Sequence, residues 1–116
     1  MPVDPHIAQV LEVMEATQAP AIHAGTPEAG RGLFVRMSRT MRASEHSASV
    51  ASTEDRLVPT PAGRLRARVY RPEGRGPWPT IVFFHGGGWV VGDLETHDDI
   101  ARSLCHQCDA VVVSVD

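Results

Sequence analysis

Two short, uninterrupted apolar runs, Thr80–Phe84 (TIVFF) and Ala110–Val115 (AVVVSV), bracket a stretch with helical spacing. They constrain the fold of this chain more than any other feature. An apolar run of this length without polar alternation is the pattern of a strand buried on both faces. Between them, Glu95–Gln107 sets Ile100, Ala101, Leu104 and Cys105 on one helical face. Strand, helix and strand in that order predict a right-handed parallel crossover, and so an α/β fold. Upstream, Arg64–Tyr70 alternates strictly. Its Leu65, Ala67 and Val69 are expected inward, and Arg64, Arg66 and Arg68 on a solvated face. A shorter strand is expected at Arg56–Pro59, followed by a turn-rich stretch at Pro72–Pro77.

The first third reads differently. Asp4 can cap a helix over residues 4–18, with Pro5 at its first position and Ile7, Val10, Leu11 and Met14 on one stripe. That stripe is expected to pack against the α/β core. Thr26-Pro27-Glu28 opens a second helical pattern that carries Leu33, Phe34, Met37 and Met41. Gly30 and Gly32 weaken this helix by about 1 kcal/mol each relative to alanine. Residues 43–53 (ASEHSASVAST) are small and polar and read as a linker. The expected organisation is a helical segment with its linker over residues 1–50, then an α/β core over 51–116.

Composition narrows the functional classes. The 116 residues carry a net charge of −3, distributed as −4 over residues 1–30, +6 over 31–75 and −5 over 76–116. The basic middle holds only Phe34 and Tyr70 as aromatic residues, too few for a base-stacking platform, so no nucleic-acid partner is expected. No run approaches the roughly 18 apolar residues of a membrane span. MPVDPHIAQV has neither the basic nor the apolar region of a secretory leader, which makes the cytoplasm the default location. The two cysteines, Cys105 and Cys108, have CxxC spacing but no second pair to complete a zinc site. Cys105 is expected in the core. His97, Asp98 and Asp99 stand where a helix begins, and capping and dipole roles account for them.

The chemistry is concentrated in His85-Gly86-Gly87-Gly88-Trp89, directly after the first apolar run. Three successive glycines cost backbone entropy, and a chain keeps them where the main chain must go where side chains cannot. Such a loop can turn several amide N–H groups toward one point and stabilise an oxyanion, at roughly 10²–10³ in rate per donor. The stretch HGGGWVVGDLETHDDIARSLCHQCDAVVVSVD resembles the opening of the catalytic domain of the hormone-sensitive-lipase-like esterases, a branch of the α/β-hydrolase superfamily. The resemblance is close over residues 80–116. It rests on layout alone for residues 1–50, which resemble the family's helical cap, and 54–71, which resemble its first two strands. It implies the N-terminal part of an α/β-hydrolase sheet: two antiparallel-type strands, then a parallel βαβ unit. It also implies a small-molecule carboxylic ester as substrate, with no metal or organic cofactor. Gly87 and Gly88 would be the oxyanion donors, His85 and Gly86 would shape the loop, and Trp89 would wall the substrate pocket.

In that family the nucleophile sits in a G-x-S-x-G turn, followed by the acid and then the histidine. None of the seven serines here (38, 44, 47, 49, 52, 103 and 114) has glycine on both sides at that spacing. The remaining histidines (6, 23, 46, 97 and 106) precede the place of the family's base. The expectation is a portion of a longer gene product that holds part of an oxyanion hole and is inert alone. It would also expose an apolar sheet face and edge. Two other readings stay open. A dinucleotide-binding βαβ module fits the element order but not the glycine spacing, because Val91 stands where a third glycine belongs. A non-catalytic relative acting as an interaction protein fits the absence of a triad.

Overall fold

A computed structural model describes residues 2–18, 20–42 and 47–116. Helix α1 (Pro5–Ala16) starts where Asp4 accepts a hydrogen bond from the His6 amide, and α2 (Pro27–Met41) where the Thr26 hydroxyl accepts from Ala29. Strands β1 (Ser52–Thr60) and β2 (Gly63–Arg71) form a hairpin. The βαβ unit follows as β3 (Thr80–Phe84), α3 (Asp98–Cys108) and β4 (Val111–Val115). The sheet order is β1-β2-β4-β3, with β3 and β4 parallel and the other pairs antiparallel. This is the predicted mixed arrangement. The chain enters β1 earlier than expected, at Ser52, so the linker is shorter than residues 43–53. Its first four residues lie outside the described ones.

Register explains where the core sits. Pairing Tyr70 with Val112 and Ile81 with Val112 puts all three on one face, beneath α3. Tyr70, Ala101, Cys105 and Val112 are fully buried there, with Val50, Ile81, Phe83 and Leu104 packed around them. Cys105 is therefore a core residue, while Cys108 is exposed. Burial pushes the Cys105 thiol pKa up, which keeps it protonated and inert. The Ser114 hydroxyl is buried in the same layer and finds no partner among the described residues.

The opposite face has no such cover. Val82 is 55% exposed and Phe84 71%, and their β4 partners Val113 and Val115 are half-buried. The expectation that both apolar runs are buried on both faces is corrected: α3 covers one face, and no element of the described chain covers the other. The α1 stripe is corrected as well. Ile7, Leu11 and Met14 remain largely exposed, and no residue of α1 is buried. α3 already fills the sheet face that an apolar helix would seek. The remaining neighbour is α2, whose Met37 and Met41 share an apolar groove of about 520 Å³ with Val13 and Met14.

Arg68 is the third correction. It lies on β2 beside Tyr70, facing α3, and its side chain is only 15% exposed. It donates to Asp55 on β1 (2.5 Å), to Glu95 (2.7 Å) and to Asp98 (3.3 Å). Asp98 is buried and also accepts from the Tyr70 hydroxyl (2.7 Å) and Arg102 (2.7 Å). It is the hub of a buried polar network rather than a simple capping residue. Burial alone would raise its pKa, but the hydrogen bonds from Arg102 and Tyr70 outweigh that and hold the carboxyl below its usual range. Asp99 likewise reaches outward from α3, pairing with Arg42 just past the end of α2 (2.8 Å, without an aligned N–H) and with the Ser47 hydroxyl. Among the described residues no helix is long and apolar enough to cross a membrane.

Candidate active site

The parallel strands β3 and β4 both point their C-terminal ends toward His85–Gly92, where ligands bind in open α/β sheets. A cleft of about 590 Å³ opens there, walled by the whole of that loop, by Phe84, Val115 and Asp116 at the strand ends, and by Arg31 from α2. The structure thus brings His85, Gly86, Gly87, Gly88 and Trp89 together along one wall.

The glycines are required by two different constraints. Gly87 has φ +138°, and a Cβ there would fall 1.7 Å from the Val91 carbonyl oxygen, so any side chain would collide with backbone. Gly88 has open space around it and needs glycine for its φ of +59° instead. The Gly87 carbonyl accepts from both the Val90 and Val91 amides (3.1 and 3.0 Å), folding the loop back on itself. The amides of Gly87 and Gly88 donate to no acceptor among the described residues. Trp89 also has positive φ (+59°) and is wholly exposed at the rim. Left-handed backbone is uncommon for a bulky residue and marks local strain.

His85 turns back on its own loop. Its Nδ1 lies 2.8 Å from the Gly86 carbonyl, and a carbonyl only accepts, so Nδ1 carries the proton. Its ring also closes against Gly92, where an added Cβ would lie 2.7 Å from Nδ1. Behind it stands His97, with ring centroids 5.2 Å apart. Burial, then the neighbouring His85, lower the pKa of His97, so its ring is uncharged at neutral pH.

Two supports of the loop are not signalled in the sequence. Arg31 Nε donates to the Val90 carbonyl (2.7 Å), a contact spanning 59 positions. No local pattern announces it, because Arg31 sits on an ordinary solvent-facing helical position. His97 carries a capping position but makes no side-chain cap, and its ring turns to the loop instead. Asp116, the acid that a dinucleotide site would need free for a ribose, is held by Arg66 (3.2 Å) and by the Leu94 amide (3.3 Å). α3 begins at Asp98, ten positions after Gly88, so the glycines do not open a helix as those of a dinucleotide-binding turn do.

Residues 81–116 match the family described as the α/β hydrolase fold. The chain's fold is that of the N-terminal part of an α/β-hydrolase sheet. The chain is 52% identical over 62 residues to the carboxylic ester hydrolase LipN of Mycobacterium tuberculosis, a match covering 53% of this chain and 16% of that one. Over all 116 residues it is 28% identical to an arylesterase of Saccharolobus solfataricus, covering 37% of it. Among solved structures, the hyperthermophilic esterase of Pyrobaculum calidifontis superposes with a TM-score of 0.88 at 35% identity, covering 100% of this chain and 36% of that one. The chain therefore spans less than two fifths of the length of these relatives. Its likeness to hormone-sensitive-lipase-like esterases holds in sequence and in fold.

Proposed function

We propose that residues 1–116 supply the oxyanion loop of a carboxylic-ester hydrolase, with the amides of Gly87 and Gly88 as the donors. The observation that carries this reading is the pair of unengaged glycine amides in the wall of a cleft at the C-terminal ends of β3 and β4. In the reaction, a serine hydroxyl adds to the ester carbonyl carbon, its proton passes to a histidine, and the carbonyl oxygen takes up the negative charge. Hydrogen bonds from the loop lower the energy of that tetrahedral state. Its collapse expels the alcohol, which takes the proton, and leaves an acyl-serine that water then hydrolyses. On this reading residues 1–50 act as a helical cap and 51–116 as part of the catalytic core, with Trp89 at the pocket rim. The substrate is a small-molecule ester. Nucleophile, acid and base lie outside these 116 residues, and the chain alone does not turn over esters.

Two assays test this. Purified 1–116 incubated with nitrophenyl butyrate is expected to show no saturable hydrolysis, and saturable hydrolysis would overturn the assignment. Exchanging residues 1–116 for the matching part of the Pyrobaculum calidifontis esterase is expected to yield an active chimera. A folded chimera without activity would show that this loop does not perform the proposed role.

A further inference from the structure

His97 sits where four elements meet. It precedes α3, and its ring lies 6.1 Å from that of Phe34 on α2, 6.3 Å from Phe83 on β3, and 5.2 Å from His85 at the head of the glycine loop. The ring Nδ1 is fixed 3.0 Å from the Thr96 hydroxyl, and Thr96 is itself locked to Asp93 by reciprocal hydrogen bonds through its amide (2.7 Å) and hydroxyl (2.8 and 3.0 Å). A ring held this firmly limits where the His85 ring can go. His85 in turn bonds to the Gly86 carbonyl and so sets the plane of the peptide whose N–H belongs to Gly87.

We propose that His97 is a positioning residue of the glycine loop: its ring wedges between Phe34, Phe83 and His85 and holds His85 on the Gly86 carbonyl, orienting the Gly87 amide. The inference rests on the reading of Gly87 and Gly88 as oxyanion donors. It has an acid-side consequence. The charged and titratable groups that act on His97 are His85 from the loop and Asp93 from the segment before α3, while α2 and β3 present the uncharged rings of Phe34 and Phe83. The neighbouring Asp98 is engaged by Arg68, Arg102 and Tyr70, and Asp99 by Arg42 and Ser47. Protonating His97 sets a cation beside His85 in a partly desolvated site, and the loop loosens.

The test reads the loop directly and needs no ester turnover. The amide resonances of Gly86–Trp89 in the full chain are followed by NMR from about pH 8 to about pH 5, the span in which histidines titrate. In the unchanged chain they are expected to shift together, with the midpoint of His97. In His97→Phe, which keeps an aromatic wedge without the charge, they are expected to stay near their high-pH positions and lose the titration. In His97→Ala they are expected to move already at about pH 8. Loop resonances in His97→Ala that superpose on the unchanged chain would overturn the proposal. So would a loop titration that survives in His97→Phe with its midpoint and amplitude unchanged. If His97→Ala does not fold, the phenylalanine variant decides alone. A loop that tracks His97 in a protein whose esterase chimera is inactive would separate this inference from the function it rests on.

Discussion

Asp98 shows how one buried charge can organise a small sheet. Three hydrogen bonds converge on its two carboxylate oxygens, from Tyr70, Arg68 and Arg102, and Arg68 extends the network to Asp55 and Glu95. Removing the Asp98 charge leaves Arg68 with Asp55 and Glu95 but takes the charged acceptor from Arg102 and from the buried Tyr70 hydroxyl. Asp98→Asn is therefore expected to destabilise the chain by about 1–3 kcal/mol, the range for weakening hydrogen bonds to a buried charged group. Chemical denaturation at neutral pH measures it. The pH dependence has a definite sign. The folded carboxyl titrates below its unfolded value, so its contribution is complete above the ordinary carboxylate pKa and fades as acid approaches the lowered folded value. In Asp98→Asn that part of the acid sensitivity should vanish. The sequence shows Arg68 only as one tooth of an alternating strand. Arg66 lies on the same face of the strand two positions away and stays 57% exposed, so it is the place at which α3 crosses the strand, decided by packing, that covers Arg68 and leaves Arg66 solvated.

At the scale of elements, α2 illustrates a conflict between local propensity and tertiary contact. Gly30 disfavours a helix, yet it is buried in the first turn of one. The reason is close approach: a Cβ at this position would stand 2.8 Å from the Ile22 carbonyl oxygen. Alanine there would gain about 1 kcal/mol of helix propensity. It would also force backbone apart at a cost of about 1–3 kcal/mol. Gly30→Ala is thus expected to lower the melting temperature rather than raise it, and thermal unfolding followed by circular dichroism checks the sign. Both helix starts were legible because proline and a capping residue act locally. The position of α1 was not: its stripe names an apolar face without naming what that face meets.

For the molecule as a whole, the asymmetry of the sheet matters most. One face carries α3 and the polar network, and the other presents Val82 and Phe84 on a strand whose outer edge is unpaired among the described residues. Exposed apolar edge strands recruit further strands. The isolated chain is expected to self-associate through this face. Val82 lies outside the glycine-loop cleft, so Val82→Lys tests the face without touching the loop. Removing a buried valine contact of about 1.5–3 kcal/mol should weaken association by about tenfold or more. Sedimentation velocity over a concentration series measures this, and unchanged association would point to α1 and its groove instead.

The amino-acid order by itself determined the element types, the parallel crossover and the location of the glycine loop. Each of these follows from patterns within a few residues: period two, period three to four, uninterrupted apolar runs, and glycines that no side chain can replace. Contacts between distant positions were decided only in three dimensions. Arg31 reaches the Val90 carbonyl, His97 backs His85, Asp98 gathers two arginines and a tyrosine, and Gly30 lets Ile22 close in. The physical reason is that side-chain reach and burial depend on which surfaces meet, and a one-dimensional pattern states a surface's character without its neighbour.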